Sequence, residues 1–526
     1  MSDAELATAL AVPEELQQLK TLELPEHIQL ISDKLLDYVA ARFLTDDPRF
    51  ESRDVWDALR SAADTAADHS FALHTPAGEV ARTWIDYVGL GLGIEVQAGE
   101  RPLSAAWIQA FHLALIVRNE RTLLKLYKAV HLLPEGSEAA YARALAARWA
   151  STHGLAAQGT VSVEATDGRT ALLRSLVQND HSDFNERLGA ALERYRLLAG
   201  TCVRDRIAWG PLALAALAHD SGVTIEVESG YLPARLVTGN GPKEAEPGAR
   251  IPRPPFTMDN VNAYIRSRDK AARKDIKRLF EWGGDWLDFA RDRFQVAALR
   301  SLADPAAADP RQWTDLVMAG QAACAAFELT VPRGTQVEIT LAGRTGTLAA
   351  DGPTSATTPL AYTRAAALAL ATRSDDALHA LSRVSDEVLQ ENPYPHVTAR
   401  FARALRTHLS GDDPRPHVDA GLAMIGDGAH WDCLFRPPLL LFDRLLANDP
   451  NGFNRTLAEA LDRYRQYFSV GDRNGDMDGL IAIEALGLSC AAHDRGWTIE
   501  VESDYLPSRI VDGSWTRTPS DFARFG

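Results

Sequence analysis

The sequence HDRGWTIEVESDYLP, at residues 493–507, repeats HDSGVTIEVESGYLP, at residues 219–233, and this repetition reveals how the chain is organised. Residues 216–237 align without a gap with residues 490–511, at an offset of 274 (493 − 219), and 15 of these 22 positions are identical. Identity over so long a stretch indicates an internal duplication. Its period of roughly 270 residues is far longer than the repeat of a solenoid.

Matching blocks upstream extend the duplication. Residues 179–196, NDHSDFNERLGAALERYR, correspond to residues 448–465, NDPNGFNRTLAEALDRYR, and a third pair of blocks puts Arg118 in register with Arg373. We also pair Trp84 with Trp313. The tryptophan and the arginine are then 34 residues apart (118 − 84) in the first copy and 60 apart (373 − 313) in the second, which implies an insertion of 26 residues in the second copy.

The implied insertion falls on TQVEITLAGRTGTLAADG, residues 335–352. Val337, Ile339 and Leu341 alternate with polar residues, and a Gly-Arg-Thr-Gly turn follows them. A period of two that ends in a glycine-rich turn is typical of a β-hairpin. We therefore expect a hairpin in the second copy and a reduced or missing hairpin in the first.

Most of the remaining patterns are helical. Phe453, Leu457 and Leu461 recur at four-residue steps, so one face of that segment is apolar. The repeated TIEVE segment alternates instead, which predicts a short strand or extended segment with its glutamates on one side. The predicted fold class is mainly α, with two tandem homologous helical domains and small β elements, namely a short strand at the IEVES motif and a hairpin in the second copy.

The predicted domain boundaries follow from the duplication and from local composition. Residues 1–240 form the first copy, in which the hairpin is reduced. Residues 241–258 are rich in Gly and Pro and lack helical periodicity, as expected of a linker. Residues 259–526 form the second copy.

Composition and charge exclude several classes of function. The net charge of −16 argues against binding to nucleic acid or to an anionic membrane, because both need a cationic surface, and it favours a basic partner. The N-terminus carries no signal-peptide pattern and no apolar run has transmembrane length, so we expect a cytoplasmic protein. The four cysteines are far apart, which supports neither a disulfide framework nor a zinc knuckle, and we expect no cofactor.

The repeated motif carries the candidate functional side chains. They are His219, Asp220, Glu226, Glu228 and Tyr231 in the first copy and His493, Asp494, Glu500, Glu502, Asp504 and Tyr505 in the second. A metal-dependent hydrolase would find suitable ligand types among them. However, neighbouring residues on a helix point about 100° apart, and no further histidine motif completes the set. We therefore assign no catalytic and no metal-binding residues.

Two interpretations without chemistry stay open for the motif. In the structural one, the histidine meets the last carbonyls of its helix, the glutamates face solvent or pair with arginines such as Arg509, and the tyrosine fills the core. In the other, the motif is a recognition edge, where carboxylates steer a basic partner and the tyrosine provides a large, rigid contact surface.

The order of the motifs resembles that of the bacterial immunity protein 49 family. The resemblance rests on D-x-x-x-FN-x-x-L-x-x-AL-x-x-Y, LGL-x-x-x-AHD-x-G and VESDYLP, which the second copy carries complete. In the first copy Gly230 stands in the place of Asp504. The resemblance implies a cytoplasmic, non-enzymatic antitoxin that binds the toxin of a polymorphic toxin system.

The leading hypothesis is thus a tandem immunity protein that neutralises a cognate toxin, expected to be basic, by stoichiometric binding. One alternative is a helical scaffold or regulatory protein unrelated to toxins. The other is a metal-dependent hydrolase that uses His493, Asp494, Glu500 and Glu502.

Overall fold

The computed structural model describes residues 3–19, 26–96, 103–155, 167–198, 200, 202–390, 396–424, 428–515 and 522. The chain divides into two compact units, Met1–Lys243 and Glu244–Gly526. In the described residues both units consist mainly of helices, and each has one small antiparallel hairpin. The predicted fold class is therefore confirmed.

The first unit contains eleven described α-helices and two strands. Short 3₁₀ turns lie at Val130–Leu132 and Val203–Arg206. The elements are α1 (Asp3–Leu10), α2 (Val12–Gln17), α3 (Glu26–Thr45), α4 (Arg53–Ala72), β1 (Val80–Ile85), β2 (Leu90–Glu95), α5 (Leu103–Val117), α6 (Glu120–Ala129), α7 (Ser137–Thr152), α8 (Gly168–Val177), α9 (His181–Leu198), α10 (Trp209–Asp220) and α11 (Ala234–Thr238).

The second unit repeats this order and adds helices of its own. A π-helical turn lies at Trp431–Phe435, and 3₁₀ turns lie at Gly471–Gly475 and Met477–Leu480. The elements are α12 (Val261–Trp282), α13 (Trp286–Arg300), α14 (Pro310–Glu328), β3 (Gln336–Leu341), β4 (Arg344–Ala349), α15 (Pro359–Thr372), α16 (Asp375–Ser382), α17 (Val397–Leu409), α18 (Arg415–Leu422), α19 (Arg436–Leu446), α20 (Pro450–Tyr467), α21 (Ile483–Asp494) and α22 (Ser508–Val511).

The hairpins correct one expectation. Strands β1 and β2 pair over six residues each, as β3 and β4 do, so the expected reduction of the first hairpin is wrong. The pairing of Trp84 with Trp313 is wrong as well, because Trp84 lies in β1 and Trp313 lies in α14. Trp56 is the better match, since it is the fourth residue of α4 as Trp313 is of α14.

The sequence pattern did not predict the first hairpin, because β2 has the sequence LGLGIE and glycine is depleted in strands. The ring of Trp84 covers one of these glycines, so that a Cβ added at Gly91 would lie 3.1 Å from the ring. An aromatic residue that covers a glycine in this way stabilises the strand pair. The turn also differs, with four residues at 86–89 in the first copy and two, Ala342 and Gly343, in the second.

Each unit is built around a helix that is apolar on nearly all sides. In the first unit α5 packs against α4, α6, α7 and α10, and in the second α15 packs against α14, α16, α17 and α21. Such a helix is removed from water only in the middle of a bundle. The packing is close, since a Cβ added at Gly487 in α21 would lie 2.6 Å from the carbonyl oxygen of Ala367 in α15.

None of the described helices combines the length and the apolar character that a membrane-spanning segment needs.

Candidate functional site

The motif begins with a His-Asp pair at the C-termini of α10 and α21. The aspartate binds an arginine that also binds the carbonyls at the end of the next helix, and we call this arginine with its partners the anchor. The Nε of Arg373 donates to the Asp494 carboxylate at 2.9 and 3.0 Å, and its two terminal nitrogens donate to the carbonyls of Ile510 at 2.8 Å and Val511 at 2.7 Å. One guanidinium thus ties the end of α21 to the end of α22. Charge-assisted hydrogen bonds of this kind are the stronger ones in proteins.

The first copy repeats this arrangement. Arg118 contacts Asp220 at 3.1 and 3.2 Å and donates to the carbonyls of Leu236 and Val237. Arg118 and Arg373 both have left-handed backbones, with φ of 53° and 52°. A non-glycine residue keeps such a conformation only where its surroundings hold it, and the five hydrogen bonds that each guanidinium makes to four residues do so.

The TIEVE segment that follows is extended in both copies, and an asparagine side chain takes the place of a neighbouring strand. The Asn454 amide donates to the carbonyl of Thr498 at 2.9 Å and accepts from the backbone N–H of Glu500 at 2.9 Å. Asn185 does the same for Thr224 and Glu226, at 3.0 and 2.9 Å. The glutamate side chains consequently turn outward.

These four carboxylates face solvent. Glu226, Glu228, Glu500 and Glu502 are all exposed. Within the part of the chain that the structure describes, their side chains form no ion pair or hydrogen bond. Their negative charges therefore form no stabilising interaction with the described part of the chain.

The tyrosine of the motif points inward. Tyr505 is fully buried, and its ring meets the edge of Tyr464 with 5.3 Å between ring centroids. Its carbonyl accepts from the N–H of Ala482 at the start of α21, at 3.3 Å. Burial raises the pKa of the Tyr505 phenol above its ordinary value. In the first copy Tyr231 is only half-buried, against Tyr195 at 5.6 Å.

Asp504 binds a segment that precedes the second unit's helices. Residues 250–253, which we call the strap, run parallel to residues 502–504 and form a β-bridge between Ile251 and Ser503. The Asp504 carboxylate pairs with Arg250 at 3.0 Å and accepts from the N–H of Arg253 at 3.0 Å. Burial opposes ionisation of Asp504, but these bonds outweigh it and lower its pKa below the usual value. Gly230 leaves the first copy without this carboxylate.

The histidines do not assemble a metal site with these groups. The Nδ1 of His219 lies 3.2 Å from the Asp220 carboxylate, and the Nδ1 of His493 lies 3.7 Å from that of Asp494. Both histidines are half-buried. Among the described residues, no three His, Cys, Asp or Glu side chains come together as a metal ion requires.

The motif therefore divides into an inward and an outward part. The side chains of Asp220, Asp494, Asp504 and Tyr505 make contacts within their own unit, whereas the carboxylates of the four glutamates form no ion pair or hydrogen bond among the described residues. The sequence interpretation named all of these positions but missed the asparagines and arginines that hold them. Two features of the sequence could have indicated them, namely the FN dipeptide that both copies share and the arginine at the same position in each copy.

A second feature, a cavity beside the 3₁₀ turn before α10 and α21, also occurs in both copies. The cavity in the first unit has a volume of about 450 Å³ and that in the second about 120 Å³. The polar lining includes Asp33, Gln109, His112, Glu138, Arg169 and Arg204 in the first unit, and Arg364, Thr398, His430, Asp478 and Glu484 in the second.

The charges in the first cavity surround one arginine. Arg204 pairs with Asp33 at 2.6 Å and with Asp37 at 3.0 Å, and Gln109 donates to Asp33 at 3.3 Å. Burial raises the pKa of Asp37 even though Arg204 opposes the shift. The network joins α3, α5 and the 3₁₀ turn Val203–Arg206.

In the second unit the residue of the 3₁₀ turn beside the cavity carries the opposite charge. At the position of Arg204 stands Asp478 (204 + 274), which pairs with Arg364 at 3.1 Å and Arg291 at 3.5 Å and accepts from Gln295 at 2.7 Å. Arg364 stands in the place of Gln109 (109 + 255). The buried positions of α3 and α13 coincide at an offset of 258, which puts Arg291 in the place of Asp33 (33 + 258).

Comparison with known families gives one finding. The family model described as Immunity protein 49 matches the chain twice, over residues 49–236 and 304–510. No curated protein and no solved structure matches the chain.

Proposed function

Because the chain belongs to the immunity protein 49 family, we propose that it protects a bacterial cell by binding a toxin stoichiometrically in the cytoplasm and blocking the toxin's activity. The observation that carries the proposal is the family match in both copies, which together span most of the chain. Neutralisation needs a complementary surface and no catalytic step, so the protein acts here as a binding partner and not as an enzyme.

The outward glutamates support a docking surface for a basic toxin. Glu226 and Glu228 in the first unit, and Glu500 and Glu502 in the second, are exposed and make no ion pair within the described residues. The net charge of −16 adds a long-range attraction toward a cationic partner. Complementary charge raises the association rate and excludes wrong partners.

The proposal is tested by capture from the native bacterium with the tagged full-length protein. We expect a toxin-domain polypeptide at near one-to-one stoichiometry. The same polypeptide must arrest growth when it is expressed alone and be tolerated when the full-length protein is co-expressed. A captured protein that is harmless when expressed alone would contradict the proposal and favour a scaffold or regulatory protein.

Two matched charge reversals locate the surface. They are Glu226→Lys with Glu228→Lys in the first unit, and Glu500→Lys with Glu502→Lys in the second. Because all four side chains face solvent, both variants should keep the wild-type melting temperature. We expect at least one of them to weaken toxin capture, most strongly at low salt. Undiminished capture by both folded variants would place the interface elsewhere.

A further inference from the structure

The two copies differ in what covers the motif on its outer side. In the second unit the strap lies along residues 502–504. In the first unit the corresponding residues, Glu228, Ser229 and Gly230, form what we call the open edge. Within the described residues the carbonyl of Glu228 accepts no hydrogen bond, and Gly230 is exposed. Among the described residues, the first copy thus has no segment on a surface that the strap covers in the second copy.

The strap shows what kind of segment this surface accepts. The N–H of Ile251 donates to the carbonyl of Glu502, and the hydroxyl of Ser503 donates to the carbonyl of Ile251, both at 2.9 Å. The guanidinium of Arg253 lies over the ring of Tyr505, 5.7 Å from its centroid. The occupant is therefore an extended segment whose isoleucine is paired through its backbone and flanked by arginines.

The open edge keeps most of the groups that hold the strap. Ser229 accepts from the N–H of Tyr231 at 3.2 Å, as Ser503 does from the N–H of Tyr505 at 3.2 Å, so both hydroxyls have the same local placement. The Tyr231 ring is more accessible than the buried ring of Tyr505. Glu226 and Glu228 add two exposed carboxylates to the same segment.

We propose that the open edge binds an extended segment of the partner protein in which an aliphatic residue is flanked by arginines. Backbone pairing along an exposed extended edge provides affinity, and the side chains on either side provide specificity. The flanking glutamates complement the arginines. This inference rests on the proposed function in one respect, because it takes the segment to belong to the toxin.

The test uses a fluorescent peptide of residues 248–256, GARIPRPPF, titrated into the full-length protein. We expect saturable binding of one peptide per chain. The decisive variant is Gly230→Asp, which supplies the carboxylate that Asp504 provides in the second copy. A Cβ added at Gly230 meets no atom within 4 Å, and its φ is not positive, so the substitution is free of strain. We expect it to tighten binding by about three- to tenfold.

Two peptide controls separate backbone pairing from charge. Replacing the peptide's isoleucine by proline removes the N–H that pairs with the Glu228 carbonyl, and binding should be lost. Replacing both arginines by alanine should abolish the gain from Gly230→Asp. Glu226→Lys with Glu228→Lys should weaken binding of the unmodified peptide. Melting temperatures confirm that each protein variant is folded.

Three outcomes would overturn the inference. The first is no binding to wild type or to Gly230→Asp at about 1 mM peptide, a concentration that detects even weak complexes. The second is an affinity that responds to Asp504→Asn and not to Gly230→Asp, because the peptide then displaces the strap in the second unit. The third is a dimer that the peptide dissociates, which would make a second copy of this chain the occupant. No toxin is present in this titration, so its failure leaves toxin capture as a separate result.

Discussion

The 3₁₀ turns before α10 and α21 occupy the same place in the two copies and carry opposite charges. Arg204 stands between Asp33 and Asp37 in the first copy, and Asp478 stands between Arg364 and Arg291 in the second. The anchors at Arg118 and Arg373 are identical instead. The fold thus needs an ion pair at the turn, with the acid or the base on the turn itself, whereas at the anchor it needs arginine.

This contrast has a geometric reason. An anchor arginine must reach one carboxylate and two carbonyls at once, and only the planar fork of a guanidinium offers that many fixed donors. The turn needs one charge facing an opposite charge, which either member of the pair can provide. The turn can therefore carry either member of the charge pair without a change of fold.

The anchor should give the largest effect when it is broken. Arg373→Ala removes the bonds to Asp494 and the donor to the carbonyl of Val511, and it leaves the carbonyl of Ile510 with only the longer bonds from the Gly513 N–H and the Cys490 thiol. The side chain of Arg373 is 16% exposed, so water only partly replaces it. We expect the free energy of unfolding to fall by about 3 kcal/mol. Urea denaturation of the full-length protein measures it.

The matched control is Arg333→Ala, in the same unit. Arg333 is exposed and makes a single bond to the carbonyl of Asp351 at 3.2 Å. It should cost less than about 0.5 kcal/mol. Equal effects of the two substitutions would mean that the anchor is not needed for the fold.

The charge reversal itself gives the next largest effect. Arg204→Asp would put three carboxylates together in the first cavity, and we expect a loss of about 2 kcal/mol in the free energy of unfolding. Adding Asp33→Arg, Asp37→Gln and Gln109→Arg installs the arrangement of the second copy around the new acid, since Arg291, Gln295 and Arg364 stand at these three positions there. That quadruple variant should recover at least half of the loss, because groups in one network are not additive. Additive losses would show that the two networks are not interchangeable.

The separation of contacting residues along the sequence explains which features could be predicted from the sequence and which could not. The duplication, the helices and the outward glutamates depend on neighbours within a few residues, so the pattern of the sequence revealed them. Arg204 and Asp37 are 167 residues apart, and no local pattern joins them. The strap lies within the predicted linker at 241–258 but pairs with residues about 250 positions further on, which composition alone does not indicate.

The smallest predicted effect is a pH dependence of stability that arises from a histidine in the first copy. His112 lines the first cavity, and its Nε2 lies 2.9 Å from the hydroxyl of Tyr141; the second copy has Ala367 at this position (112 + 255). Burial lowers the pKa of His112 from 6.5 to about 3, and the nearby Arg169 adds to the shift. The neutral ring is therefore favoured in the folded protein. Its contribution to stability is complete above the unfolded pKa of 6.5 and is lost progressively as the pH falls toward about 3.

Between pH 7 and 5.5 this linkage should remove about 1 kcal/mol from the free energy of unfolding. His112→Gln keeps a polar group near Tyr141 and removes the titration, so the free energy of unfolding of this variant relative to wild type should rise by about 1 kcal/mol as the pH falls from 7 to 5.5. Hydrogen exchange of peptides from α5 would show that the change arises in the first unit. A constant difference over this pH range would mean that His112 does not titrate with the shift that burial imposes, and the pH response would then have to come from the other buried histidines.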